Sequence, residues 1–300
     1  MCPGRLQLGL RQARRILILK PSSLGDIVHA LPVLAALRAA YPDAHIAWLV
    51  ADSFAPLLEG HPLLDEVIRF DRRRYGRMWR TPATFVAFWR FVAEMRRRRF
   101  DLIIDLQGLI RSGLLSFFSG ARERIGFADA RELAWLFYTR RVRIRPDVEH
   151  AVERNLHVAA ALGLPVPSPQ FALAISDAER AVARNLLADA AGGPLDEFIA
   201  VVPGARWASK IWPPERMAAL IDRLHAAGPS RCVLLGGPDD RPLADRVRAA
   251  CTTGVVDLVG RTTLRQLVAV LDLAERVLCC DSGPMHIAAA LGKPTLAIFG

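Results

Sequence analysis

The chain has 300 residues, is 52% hydrophobic, and carries a formal net charge of +10. That length suits two domains with sizeable cores, and no apolar run reaches the roughly 20 residues needed to cross a bilayer. Divided at residue 165, the first part holds 26 basic and 16 acidic residues and the second 14 and 14, so the whole excess is N-terminal and points to an anionic partner there.

The opening MCPGRLQLGLRQARR is basic but lacks the apolar core and small-residue cleavage site of a signal peptide. A strand is expected over 15–20 (RILILK). It passes through KPSSLGDIVHALP into a helix over 26–40, which Pro32 kinks or interrupts. In that connection Ser22 or Ser23 caps exposed N–H groups, and Gly25 allows a close approach to the backbone. Asp26 falls in the first helical turn, where the helix dipole favours the carboxylate. It either stabilises the helix or accepts a proton from an attacking hydroxyl.

Strands over 45–50 and 66–70 come next. The loop DRRRYGRMWR places Arg72, Arg73, Arg74, Arg77 and Arg80 around Tyr75 and Trp79, a composition suited to phosphates at a membrane surface or to a nucleic acid. A helix over 82–98 ends in RRRR (96–99), where cations suit the dipole. After a strand over 101–106, IDLQGLIRSG carries Gln107 and Arg111 as polar contacts for a substrate. A helix over 109–118, a strand over 124–127, and helices over 131–138 and 150–162 complete this half. Alternating Pro165, Pro167 and Pro169 then favour an extended linker, so the expected domains are 1–164 and 165–300.

The second half repeats the scheme, with strands over 198–203, 232–237, 255–260, 276–281 and 295–300 and helices over 176–190, 214–227, 240–250, 263–272 and 284–291. Continuous Val/Ile/Leu runs mark strands covered on both faces, hence parallel sheets. The expected fold is α/β, two Rossmann-like domains facing a central cleft, with ligands beyond the C-terminal ends of the strands. VVPGARWASKIWP (201–213) leaves one such strand. There Arg206, Ser209 and Lys210 are donors for a phosphate, although the spacing is not a Walker A motif and an ordinary cationic loop would read the same. CCDSGPMHIAAALGKP (279–294) leaves another: Asp281 ends the strand, and Ser282, Gly283 and Pro284 start a helix whose free N–H groups suit a diphosphate. His286 on the first turn adds a donor. The five cysteines (Cys2, Cys232, Cys251, Cys279, Cys280) form no C-x-x-C pair, which fits buried thiols in a reducing compartment better than a metal site. The sequence stops at Gly300 directly after a strand, where a further loop and helix are expected.

In order along the chain, KPSSLGDIVHALP, IDLQGLIRSG, GFADARELAWLFYTRRV, EHAVERNL, PGARWASKIWP and DSGPMHIAAALGKPT resemble the bacterial lipopolysaccharide heptosyltransferases, glycosyltransferase family nine. The middle segments are most similar to those of heptosyltransferase I. The resemblance implies a GT-B fold and inverting transfer of heptose from ADP-heptose to a Kdo sugar on lipid A. It implies a cytoplasmic enzyme, peripheral on the inner membrane, with no metal or other cofactor. Asp26 matches the general base. Arg206, Ser209, Lys210, Thr262, Asp281, Ser282, Gly283 and His286 match nucleotide-sugar contacts. Ser22, Ser23, Gly25, Arg73, Gln107, Arg111 and Arg131 fall where the acceptor's carboxylates and phosphates bind. A sibling transferase with another acceptor or nucleotide sugar, a nucleotide-sugar epimerase of the same fold, and a non-enzymatic anion-binding protein remain alternatives. A nucleic-acid binder is disfavoured, because the aromatics form no recognised stacking motif.

Overall fold

The computed structural model describes residues 13–75, 81–165 and 169–299. Cys2, Arg77, Trp79, Arg80, Pro167 and Gly300 lie outside them. The chain divides into two compact units, Met1–Ala172 and Leu173–Gly300.

The first unit holds a six-stranded, all-parallel sheet: β1 (Arg15–Leu19), β2 (His45–Ala51), β3 (Glu66–Phe70), β4 (Leu102–Asp105), β5 (Glu123–Phe127) and β6 (Arg140–Val142) in the order β3-β2-β1-β4-β5-β6. The second has β7 (Phe198–Val202), β8 (Arg231–Leu234), β9 (Val256–Asp257), β10 (Arg276–Cys280) and β11 (Thr295–Ile298), ordered β11-β10-β7-β8-β9 and again all parallel. Ile16–Leu19 and all of β7 are buried without alternation, because helices cover both faces of a sheet whose crossovers are helical. Each sheet reverses its winding once, between β1 and β4 in the first and between β7 and β10 in the second. In doubly wound sheets the crevice for a ligand opens at that reversal, beyond the carboxyl ends of the strands.

One expected helix is broken. Residues 26–40 form a short helix, Leu24–Val28, a turn at His29–Ala30, and a second helix, Leu31–Ala40. Pro32 sits in the first turn of the second helix, where its missing N–H costs nothing, rather than kinking an interior. The helix expected over 131–138 is only a 3₁₀ turn, Ala134–Phe137. Glu132 and Leu133 have φ of 55° and 61°, left-handed values that cannot lead into an α-helix. The chain then forms β6, which the sequence pattern did not suggest. The first unit extends to Ala172, whose carbonyl meets the His61 ring.

Gly126 of β5 lies under the Tyr138 ring, and a Cβ there would overlap Cε2 and Cζ. Gly126→Ala is therefore expected to destabilise the first unit by about 1–3 kcal/mol through overpacking. A lowered urea midpoint checks this, and an unchanged midpoint would show that the ring can move aside.

Candidate active site

In the first unit the reversal point is built by the ends of β1 and β4, paired Leu19 to Asp105. Lys20 continues β1. It is only 8% exposed, and its Nζ donates to the carbonyl of Leu106 at 2.8 Å. Asp105 is fully buried and accepts from the Tyr138 hydroxyl (2.8 Å), Gln107 N–H (2.9 Å) and Gly108 N–H (3.1 Å). Asp26 stands at the mouth of the short helix, and its Oδ2 accepts from both the N–H (2.8 Å) and the hydroxyl (2.7 Å) of Ser23. Ser23 is thus the N-cap residue, but its hydroxyl serves Asp26 rather than a helical N–H.

Burial works to raise the Asp26 pKa, but Lys20, the two Ser23 donors and His29 together outweigh it and hold the carboxyl below its ordinary value. Burial lowers the Lys20 ammonium against the pull of Asp26 and Asp105, and it raises Asp105 against its hydrogen-bond donors. The cluster therefore keeps Asp26 as a carboxylate. Since its folded pKa lies below the unfolded value, this interaction adds stability above about pH 4 and loses it as pH falls through the folded pKa. Carboxyl-carbon NMR should place the Asp26 titration below about 3.9. In Lys20→Met the midpoint should move up, because the largest lowering influence is gone. An unshifted midpoint would remove Lys20 from the account.

Beside this cluster lies a cavity of about 410 Å³, lined by Ser22, Gln107 and Arg111 together with Arg72 and an apolar floor from Leu19 and Phe70. Its size is that of a small-molecule pocket. Ser22 N–H faces Gln107 Oε1 at 3.4 Å. Gly25 is buried in the short helix. Arg73 is exposed on the turn of helix Arg72–Tyr75, and Arg72 rather than Arg73 lines the cavity. Arg131 is exposed, and its N–H donates to the carbonyl of Gly108.

The second unit repeats the construction. The loop after β7 carries Arg206, Ser209 and Lys210; the one after β10 carries Asp281 and Ser282. The two meet in an ion pair, Lys210 Nζ to Asp281 Oδ2 at 2.5 Å. Arg206 and Ser209 are exposed, with the guanidinium of Arg206 5.6 Å from the Trp207 ring centroid. Ser282 caps the helix Gly283–Ala290, and its hydroxyl oxygen is buried without a hydrogen-bond partner among the described residues. That helix directs free N–H groups, with the positive end of its dipole, at the same place. His286 lies half-buried on its first turn. Thr262 is half-buried one residue before Thr263, whose hydroxyl caps the helix Leu264–Leu273. Among the described residues no three His, Cys, Asp or Glu side chains gather as metal ligands.

Sequence reasoning missed Lys20, the Asp105–Tyr138 pair and Asp240, whose carboxylate fills the space left by Gly204 and Gly236. For Lys20 a signal existed, since it is one of three lysines among 40 basic residues. For the others the partners are brought together only by the sheet order.

Both half-sites occupy the place where doubly wound folds bind ligands. The model of glycosyltransferase family 9 (heptosyltransferase) matches residues 88–300. Lipopolysaccharide heptosyltransferase 1 of Pseudomonas aeruginosa is 33% identical over 95% of this chain and 78% of its own length. The enzyme of the same name from Escherichia coli K12 is 30% identical over 95% and 88%. Among solved structures, E. coli heptosyltransferase WaaC with ADP-2-deoxy-2-fluoro heptose superposes with a TM-score of 0.76 at 30% identity, covering 94% of this chain and 88% of that one. E. coli ADP-heptose lps heptosyltransferase II gives 0.77 at 27%, covering 95% and 85%. The two Rossmann-like domains are of GT-B type, and the chain belongs to glycosyltransferase family 9, the heptosyltransferases.

Proposed function

We propose that this enzyme moves L-glycero-D-manno-heptose from ADP-heptose to a Kdo residue of the lipopolysaccharide inner core, the step of heptosyltransferase 1. The observation that carries the reading is the carboxylate of Asp26, kept ionised by Lys20 and Ser23 at the reversal point of the first sheet. A charged carboxylate there takes the proton of the acceptor hydroxyl as its oxygen attacks the anomeric carbon. The bond from that carbon to the diphosphate breaks, and ADP leaves with the electron pair. In this reading Lys210, Arg206 and the N-terminus of helix Gly283–Ala290 stabilise the leaving diphosphate, with Thr262 and His286 as further nucleotide contacts. Chelators then leave turnover unchanged. Ser22, Gln107 and Arg111 hold the acceptor, with Arg73 and Arg131 on its anionic groups.

The type 1 assignment is supported by identities of 33% and 30% to heptosyltransferases 1, against 28% and 27% to types 3 and 2. These last relatives favour a second reading, the same donor with a different acceptor. ADP release by the full-length protein, with and without Kdo2-lipid A, tests the assignment. Acceptor-dependent release with a heptosylated product is expected. Tight ADP-heptose binding without turnover would move the assignment to another acceptor.

A further inference from the structure

Among the described residues Asp105 is the only acidic side chain that is buried, and the reaction proposed above does not use it. Taking a carboxylate wholly out of water is unfavourable unless both oxygens find donors. Here the donors are found, and they are arranged to a purpose.

Asp105 ends β4 and is paired across the sheet with Gly126 of β5. Because Gly126 has no Cβ, the buried Tyr138 ring lies over it, and the phenol donates to Asp105 Oδ2 at 2.8 Å. That fixes one oxygen. The other, Oδ1, accepts the N–H groups of Gln107 and Gly108 at 2.9 and 3.1 Å. This closes a tight turn, which Gly108 completes with a φ of 66°. Two groups leave the turn toward the site. The Leu106 carbonyl faces the Lys20 ammonium at 2.8 Å. The Gln107 side chain lies on the cavity wall, its Oε1 toward Ser22 N–H.

We propose that Asp105 and Tyr138 are positioning residues for the transfer: the phenol aims the ionised carboxylate, and the carboxylate sets the turn that holds Gln107 at the cavity and Lys20 in the cluster around Asp26. The inference deepens the proposed function and rests on it for the identity of the acceptor. Neither residue touches the substrate, and no bond-making step is added. Gly126 belongs to the device, since a side chain there would push the ring off Asp105.

Tyr138→Phe tests it, because the ring still fills the space over Gly126 while Oδ2 loses its donor. The unpartnered oxygen then draws on Lys20, the cation that attracts both Asp26 and Asp105. The KM for Kdo2-lipid A should rise about tenfold and that for ADP-heptose stay within about twofold of wild type, a split that a general loss of stability does not produce. Asp26, which faces Lys20 and His29, should titrate at higher pH by carboxyl-carbon NMR. Should the variant not fold, the wild type decides: the same NMR at neutral pH should show Asp105 as a carboxylate, although burial raises its pKa. An unchanged acceptor KM in the folded variant, equal rises in both KM values, an unmoved Asp26 midpoint, or a protonated Asp105 in the wild type would each overturn the inference. Absence of wild-type turnover on Kdo2-lipid A would instead strike the proposed acceptor, with the Asp26 midpoint still deciding this inference.

Discussion

Asp26→Asn is expected to lower turnover by about 10²–10⁴-fold, the usual worth of a positioned general base, while ADP-heptose binding stays within a few-fold of wild type. The asparagine keeps the shape of the side chain. What it loses is the charge that Lys20 and Ser23 stabilise. Binding is measured by calorimetry without acceptor and turnover by acceptor-dependent ADP release. Parallel loss of both would assign Asp26 to holding the helix Leu24–Val28 together, since its Oδ2 also accepts the N–H of the N-cap. Equal turnover in the variant would remove Asp26 from the chemistry.

Lys210→Ala is expected to weaken ADP binding by about 10–100-fold, the range for losing one charge-assisted contact to phosphate. In the ligand-free protein the ammonium is held by Asp281, so under the proposed role a diphosphate has to take Lys210 from that carboxylate. Raising salt should narrow the difference between wild type and variant, because part of the attraction is screened. Unchanged affinity would mean that Arg206 and the helix N-terminus carry the phosphates by themselves. Neither outcome depends on which acceptor the enzyme uses.

The α/β fold and the family were legible because both lie in short, local patterns. The uninterrupted apolar runs at 16–19 and 198–202 announced buried parallel strands, and the polar motifs placed directly after them could only lie at strand ends. What stayed illegible depends on strands distant in sequence. That Lys20 lies against Leu106, or that Tyr138 reaches Asp105, follows from β1 pairing with β4 and β5 lying beside it, an order that no window of residues contains. The false helix over 131–138 has another cause. Its composition is helical, but Glu132 and Leu133 take left-handed backbone angles, which nothing in their side chains requires.

The scarcity of lysine, set against the burial of Lys20, makes this protein its own reporter. Of the three lysines, Lys20 is sealed at 8% exposure, leaving Lys210 and Lys293 as the side-chain amines within reach of an acylating reagent. Lys293 belongs to the turn before β11, so mass spectrometry of the two tryptic sites separates them. With Lys293 as the internal reference, the acylation rate at Lys210 reports directly whether that ammonium is held by Asp281 or by an added ligand, with no label introduced and no residue changed.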